Sequence, residues 1–219
     1  MRISGGKAKG IQLSVSKAAG LRPATEANRE RLFSSLGDFI NQSRTLDLFA
    51  GTGSYGLEAL SRGASSVHFV EKNQRVVSAL KENLIKVCKS AGLMNSAGAV
   101  YSRDAIDFLK KPTPQPFDLV FLDPPYLDFP KLAEKVFSLL ISNHFVHRES
   151  LLVHEAPGEE RTNFPNWIQI RTLGKPKRGA PVFRLFQPDL KFATYQKELA
   201  SRLSAATTAV STRKTRSPK

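Results

Sequence analysis

Short apolar runs alternate along the chain with stretches in which apolar residues recur every three or four positions. Turn residues separate the two kinds of segment. The runs 45–50, 66–71, 98–102, 117–123, 151–156, 167–172 and 181–186 are predicted as strands. Helices are predicted over 55–62, 74–89, 105–110 and 131–143, and over 26–40, where Thr25 offers an N-cap before Ala27, Phe33, Leu36 and Ile40. Strands that alternate with helices imply an α/β fold, a doubly wound and mostly parallel seven-stranded sheet of Rossmann-like form. The last two strands leave no room for a helix between them, so an antiparallel pair is expected at one edge.

Ahead of this lies a polar, Gly-rich segment with alternation at Ile11-Gln12-Leu13-Ser14-Val15, which reads as a small β-hairpin. The expected division is a basic hairpin and helix over 1–42, an α/β domain over 43–191 and a tail over 192–219. That tail is rich in Ser, Thr and Ala, carries scattered Lys and Arg, and is expected to lack a packed core.

Composition adds a partner. Of 219 residues, 33 are Lys or Arg against 19 Asp or Glu, a net charge of +14 with pI near 10.1. Such an excess favours a polyanion through counterion release. Residues 1–30 hold six basic side chains (Arg2, Lys7, Lys9, Lys17, Arg22, Arg29) against two acidic ones, Glu26 and Glu30. Arg171, Lys175, Lys177 and Arg178 make a second cluster. Lys7, Lys9, Arg22, Arg29, Lys175, Lys177 and Arg178 are the candidate nucleic-acid contacts. No apolar run approaches the roughly 20 residues that cross a bilayer, and the N-terminus lacks the apolar stretch of a secretory signal. The single Cys88 excludes an internal disulfide and reads as a small buried side chain. A cytoplasmic monomer is expected.

Candidate chemistry sits where strands end. The apolar run 117–122 is a buried strand that breaks at Asp123-Pro124-Pro125-Tyr126, because paired prolines stop both a ladder and an immediate helix. A carboxylate, two rigid carbonyls and a ring are thereby held at the carboxyl end of a strand, where open α/β sheets bind ligands. Such a set can accept hydrogen bonds from an exocyclic amine while the ring covers the base. Taken alone, the motif also fits a proline-stiffened surface turn.

The run Leu46-Asp47-Leu48-Phe49-Ala50-Gly51-Thr52-Gly53-Ser54-Tyr55-Gly56 turns from strand to helix, and Gly51 and Gly53 let backbone approach a ligand. Its three glycines satisfy the weak dinucleotide fingerprint. Glu71 ends the second strand, where an acid can take both hydroxyls of a ribose, and Lys72 follows it. Asp104 and Ala105, after the third strand, can read the amino edge of an adenine. Glu71 and Asp104 also fit as helix N-terminal acids. A nicotinamide or flavin dinucleotide and S-adenosylmethionine both suit this layout, and Asp47 before the turn favours the latter by matching an ammonium group.

Together the turn 47–53, Glu71, Asp104 and 123–126 resemble a class I, S-adenosylmethionine-dependent methyltransferase. With Gly5-Gly6-Lys7, Leu21-Arg22-Pro23-Ala24-Thr25-Glu26, the run from Leu46 with its continuation Gly56 to Ala64, and the run from Phe117 to Tyr126, they resemble the RsmD-type bacterial 16S rRNA (guanine-N2)-methyltransferases. The resemblance runs from residue 1 to about 126. It weakens afterwards, with Lys177-Arg178-Gly179 in place of a Lys-Tyr-Gly-like signature. It implies methyl transfer to the N2 amine of one guanine in 16S rRNA of the small ribosomal subunit, with S-adenosylmethionine as donor and no metal. Asp123, Pro124 and Tyr126 are then the catalytic candidates. Asp47, Phe49, Gly51, Gly53, Glu71, Lys72, Asp104, Ala105 and Asp123 are the cofactor-binding ones.

Other readings fit parts of the same pattern. An adenine-N6 methyltransferase acting on DNA or RNA uses the same motif, but a sequence-specific DNA enzyme needs more recognition surface than this length leaves. A dinucleotide-dependent oxidoreductase would leave 123–126 unexplained. A noncatalytic ribosome-binding protein would have no use for Asp47, Asp104 and Asp123. His144, His147 and His154 lack the companions of a metal set.

Overall fold

The seven strands are β1 (Arg44–Leu48), β2 (Ser66–Glu71), β3 (Gly98–Ser102), β4 (Phe117–Leu122), β5 (Val146–Pro157), β6 (Trp167–Leu173) and β7 (Pro181–Pro188). They lie in one sheet in the order β3-β2-β1-β4-β5-β7-β6. The first five are parallel, while β7 runs antiparallel between β5 and the edge strand β6. A computed structural model describes residues 1–15, 26–124, 129–158, 163–175 and 181–190, with 129–131 as backbone alone. Met1–Pro188 form one unit, and a second begins at Asp189, of which Asp189 and Leu190 are described.

Helices cover both faces of the sheet, which is why Leu119–Leu122 of β4 and Leu151–Val153 of β5 are apolar on both sides. On one side α1 (Glu26–Leu36), α2 (Ser54–Ser61) and α3 (Gln74–Ala91) bury Phe33, Leu57 and Leu80 with Phe69 and Phe121. On the other, α4 (Ala105–Leu109) and α5 (Phe129–Ser142) bury Ile106, Val136, Phe137 and Leu140 against Leu46, Val120 and Leu152. In α3 the side chain of Asn73 caps the start, accepting from the Arg75 amide at 3.1 Å. Gly92, at φ 68°, ends that helix in the left-handed region. Cys88 is buried on its inner face.

The doubly wound α/β fold is as expected, the N-terminal segment is more closely tied to the domain than its sequence shows, and the limits of two elements differ. The hairpin is short: around the antiparallel bridge from Arg2 to Gln12, the Ile3 amide donates to the Ile11 carbonyl at 3.0 Å, Gly10 to Ile3 at 2.9 Å and Leu13 to Met1 at 2.9 Å. The amides between its arms turn to α2: Ser4 and Gly5 donate to the Glu58 carboxylate at 2.8 Å, and Ala8 donates to Ser61 Oγ at 2.9 Å. The segment is thus a short hairpin strapped onto α2. The helix expected over 26–40 stops at Leu36, and Gly37, at φ 52°, leads into a tight 3₁₀ turn ending at Ile40. The Thr25 cap lies outside the described residues. Finally, β5 starts at Val146, opposite Phe117, and the polar stretch 147–150 bulges out before Leu151 pairs with Leu119, with Ser150 Oγ donating to the Phe117 carbonyl at 2.6 Å.

Candidate active site

The sheet changes direction at β1, whose neighbours are β2 and β4, so a crevice opens at the carboxyl ends of those strands. The chain leaves β1 through Phe49 and Gly51, at φ 58° and 54°, and Gly53, at φ 86°. A Cβ on Gly53 would lie 2.3 Å from Leu80 Cδ1, and one on Gly56 would lie 2.3 Å from Phe69 Cε1. Packing against α3 and β2 therefore demands these glycines, in addition to any ligand. Asn83 of α3 secures the turn from behind, donating to the Thr52 carbonyl at 3.1 Å and the Ser14 carbonyl at 3.0 Å.

Asp47 lies beneath the turn, 1% exposed, and its Oδ2 accepts from the Gly56 amide at 2.9 Å. Burial pushes its carboxyl up to about 8, the Gly56 amide opposes this, and Glu71 adds to it. Glu71 accepts from the Gly51 amide at 3.1 Å and the Asn73 amide at 2.8 Å, so it ties the turn to the end of β2. Lys72 beside it is exposed. Asp104 caps α4, its Oδ1 accepting from the Ile106 amide at 2.8 Å, with Ala105 buried behind it. Phe49 packs on the core that holds Leu48 and Val70.

Asp123 follows β4 directly and is partly exposed, and Pro124 after it is buried. Burial, then Glu155, then Asp47 hold the Asp123 carboxyl well above the usual carboxylate range. Pro125 and Tyr126 lie outside the described residues. Two side chains not singled out from the sequence complete this corner. Tyr55 of α2 stacks on Phe121, ring centroids 5.3 Å apart, and its hydroxyl donates to Glu155 of β5. Both are buried, at 4% and 5% exposure. Burial raises the Glu155 carboxyl, against the Tyr55 hydrogen bond and His154. The signal for Glu155 was legible: an acid inside the apolar run Leu151-Leu152-Val153-His154-Glu155-Ala156.

Of the basic candidates, Lys7, Lys9 and Lys175 are exposed. Arg29 is a correction: it is fully buried, pairs with Glu58 at 3.6 Å and donates to the Arg2 carbonyl, so it cannot reach a phosphate. Arg22, Lys177 and Arg178 lie outside the described residues. Among the described residues no group of His, Cys, Asp and Glu is arranged to hold a metal ion, and no helix is long and apolar enough to cross a membrane. His147 Nε2 lies 3.0 Å from Asp118, and His154 Nδ1 lies 3.0 Å from the Leu122 carbonyl.

The family described as conserved hypothetical protein 95 matches residues 1–187, well past the limit of the motifs. A Haemophilus influenzae protein, ribosomal RNA small subunit methyltransferase D, is 40% identical over 190 residues, covering 85% of this chain and 93% of its own. The Escherichia coli protein of the same name is 36% identical over 189 residues, covering 85% and 89%. The solved Escherichia coli structure yhhF, described as a methyltransferase, superposes with TM-score 0.74 and 31% identity over 86% of this chain and 98% of its own.

Proposed function

This chain belongs to the conserved hypothetical protein 95 family and is a methyltransferase, and from that premise we propose that it methylates the N2 amine of a guanine in 16S rRNA of the small ribosomal subunit. The methyl donor is S-adenosylmethionine, and the work takes place in the cytoplasm. The observation that carries the reading is Asp123 with buried Pro124 at the carboxyl end of β4, beside the left-handed turn that leaves β1.

The residues present fit an adenosyl donor. Acids stand at or just past the ends of four neighbouring strands (Asp47, Glu71, Asp104, Asp123) around the turn, with Gly51, Gly53 and Phe49 between them. Glu71 with Lys72 and Asp104 with Ala105 would hold the nucleoside part, and Asp47 acts beneath the turn that carries Gly51 and Gly53. The donor supplies an electrophilic carbon on a sulfonium.

A guanine amine is a poor nucleophile, because its lone pair is delocalised into the ring. The Asp123 carboxylate and the Pro124 carbonyl accept its two protons and aim the lone pair outward, so positioning supplies much of the acceleration. The nitrogen gains a carbon and loses a proton, and Asp123 is placed to take that proton. Tyr126 would cover the extruded base, worth about 1–3 kcal/mol of stacking. Extrusion itself costs a few kcal/mol. Lys7, Lys9, Lys175, Arg22, Lys177 and Arg178 would offset it on phosphates.

The deciding experiment incubates the protein with labelled donor and small subunits from cells lacking the activity, then digests the RNA. Labelled N2-methylguanosine is expected. Labelled N6-methyladenosine would transfer the reading to the adenine alternative, and no labelled nucleoside would overturn it. The methyltransferase relatives leave the dinucleotide-dependent alternative without support.

A further inference from the structure

The proposed chemistry uses Asp123 and Pro124 and leaves two buried polar side chains beside them without a task. β4 and β5 run parallel with Leu122 opposite His154, so Asp123 and Glu155 follow at the same level on adjacent strands. Tyr55 reaches in from α2, the helix that opens at the glycine turn, lays its ring on Phe121 two residues before Asp123, and donates to Glu155. The edge of Phe183 on β7 packs against the same ring at 6.1 Å. A buried acid in an apolar strand costs stability, so a purely structural account of Glu155 has to explain why no apolar residue stands there.

Resting on the proposed function, we infer that Tyr55 and Glu155 are positioning residues for methyl transfer: Tyr55 pins the Glu155 carboxylate beside Asp123, and that fixed carboxylate sets the orientation and charge of Asp123. The consequence is chemical. A negative neighbour makes Asp123 a stronger acceptor for the proton that the methylated nitrogen must release. It also delays the loss of Asp123's own proton in the free enzyme, in line with Glu155 being the largest charge acting on that carboxyl.

Other groups around this corner bear on the same equilibrium. Asp47 on β1 and Glu71 on β2 are acids, Tyr55 and Glu58 come from α2, and Arg29 from α1 pairs with Glu58. His154 stands next to Glu155, and Arg184 on β7, opposite His154, donates to the Pro157 and Gly158 carbonyls.

The test is the pH profile of methyl transfer to small subunits by the native protein, Glu155→Gln and Tyr55→Phe, with KM for the donor measured alongside. Glu155→Gln should lower kcat several-fold on the plateau and move the acid limb to lower pH, leaving the donor KM unchanged. Tyr55→Phe should move the limb in the same direction by less, because the unsupported Glu155 keeps its proton more readily. If both variants are folded by thermal unfolding and the limb stays where the native protein has it, the pair merely braces α2 and the inference falls. Should Glu155→Gln fail to fold, Tyr55→Phe decides alone. A native protein that labels no nucleoside at any pH overturns the proposed function, an outcome seen before either variant is made.

Discussion

Asp47 shows how a residue singled out for its charge can be held without one. It sits under the turn, beyond water, and keeps its proton up to about pH 8, whereas its ordinary value is 3.8. The folded chain thus binds this proton more tightly than the unfolded chain. Stability from this group is complete below about pH 4 and is lost as pH rises through about 8. Asparagine keeps an oxygen for the Gly56 amide and cannot ionise. Asp47→Asn should therefore gain on the native protein between pH 5 and pH 8 in urea-unfolding midpoint. Any cost of a badly matched amide shifts both pH values equally, so a difference that does not change between them would refute the account. Asp123 differs in being partly open and at the end of β4. Asp123→Ala should abolish methyl transfer and leave donor affinity, read by calorimetry, nearly as it was; native turnover in the variant would reject its role. The need for an acid at both positions was readable from strand ends. Their depth was not, because a strand end does not reveal which helix closes over it.

At the level of elements, β2 and β3 run over the residues expected of them, each followed two residues on by the cap of the next helix, Asn73 and Asp104. The limits of α1 and β5 were less legible. Gly37 stops α1 by taking a left-handed φ, and β5 reaches back to Val146 across a polar bulge that the Ser150 hydroxyl fastens to Phe117. Asp104 is the instructive case. The sequence left it between a ligand contact and a helix cap, and the structure shows the cap: one oxygen holds two amides of the five-residue helix α4, Ile106 at 2.8 Å and Asp107 at 3.3 Å. Short helices depend heavily on such caps. Asp104→Ala should cost about 1 kcal/mol of unfolding free energy, and Asp104→Asn much less. If the two variants lose equally, the cap is not what holds α4.

Across the whole molecule, the charge excess predicts a polyanionic partner, yet it does not say which basic side chains meet it. Arg29 lies in the same basic stretch as Lys7 and Lys9, but the strap on α2 turns it inward to Glu58, which also holds Arg62 at 2.8 Å and the amides of Ser4 and Gly5. The signal for this hub was an acid set between Leu57 and Ala59-Leu60 in α2, every residue of which from Tyr55 to Ser61 is buried. Glu58 thereby fastens the segment carrying Lys7 and Lys9 to the helix that begins at the glycine turn. Removing one partner of a buried ion pair costs about 3–5 kcal/mol, so Arg29→Gln should lower the unfolding midpoint sharply. Measured below that midpoint, its RNA affinity should fall with salt as steeply as the native protein's. The double variant Lys7→Gln/Lys9→Gln should do the opposite, unfolding as the native protein does while the slope of log affinity against log salt flattens by roughly 1.5 if each lysine meets one phosphate. An unchanged slope in the double variant would take the exposed face of the strap out of the RNA interface. A flattened slope in Arg29→Gln would show that this buried arginine still acts on RNA, through the strap it anchors.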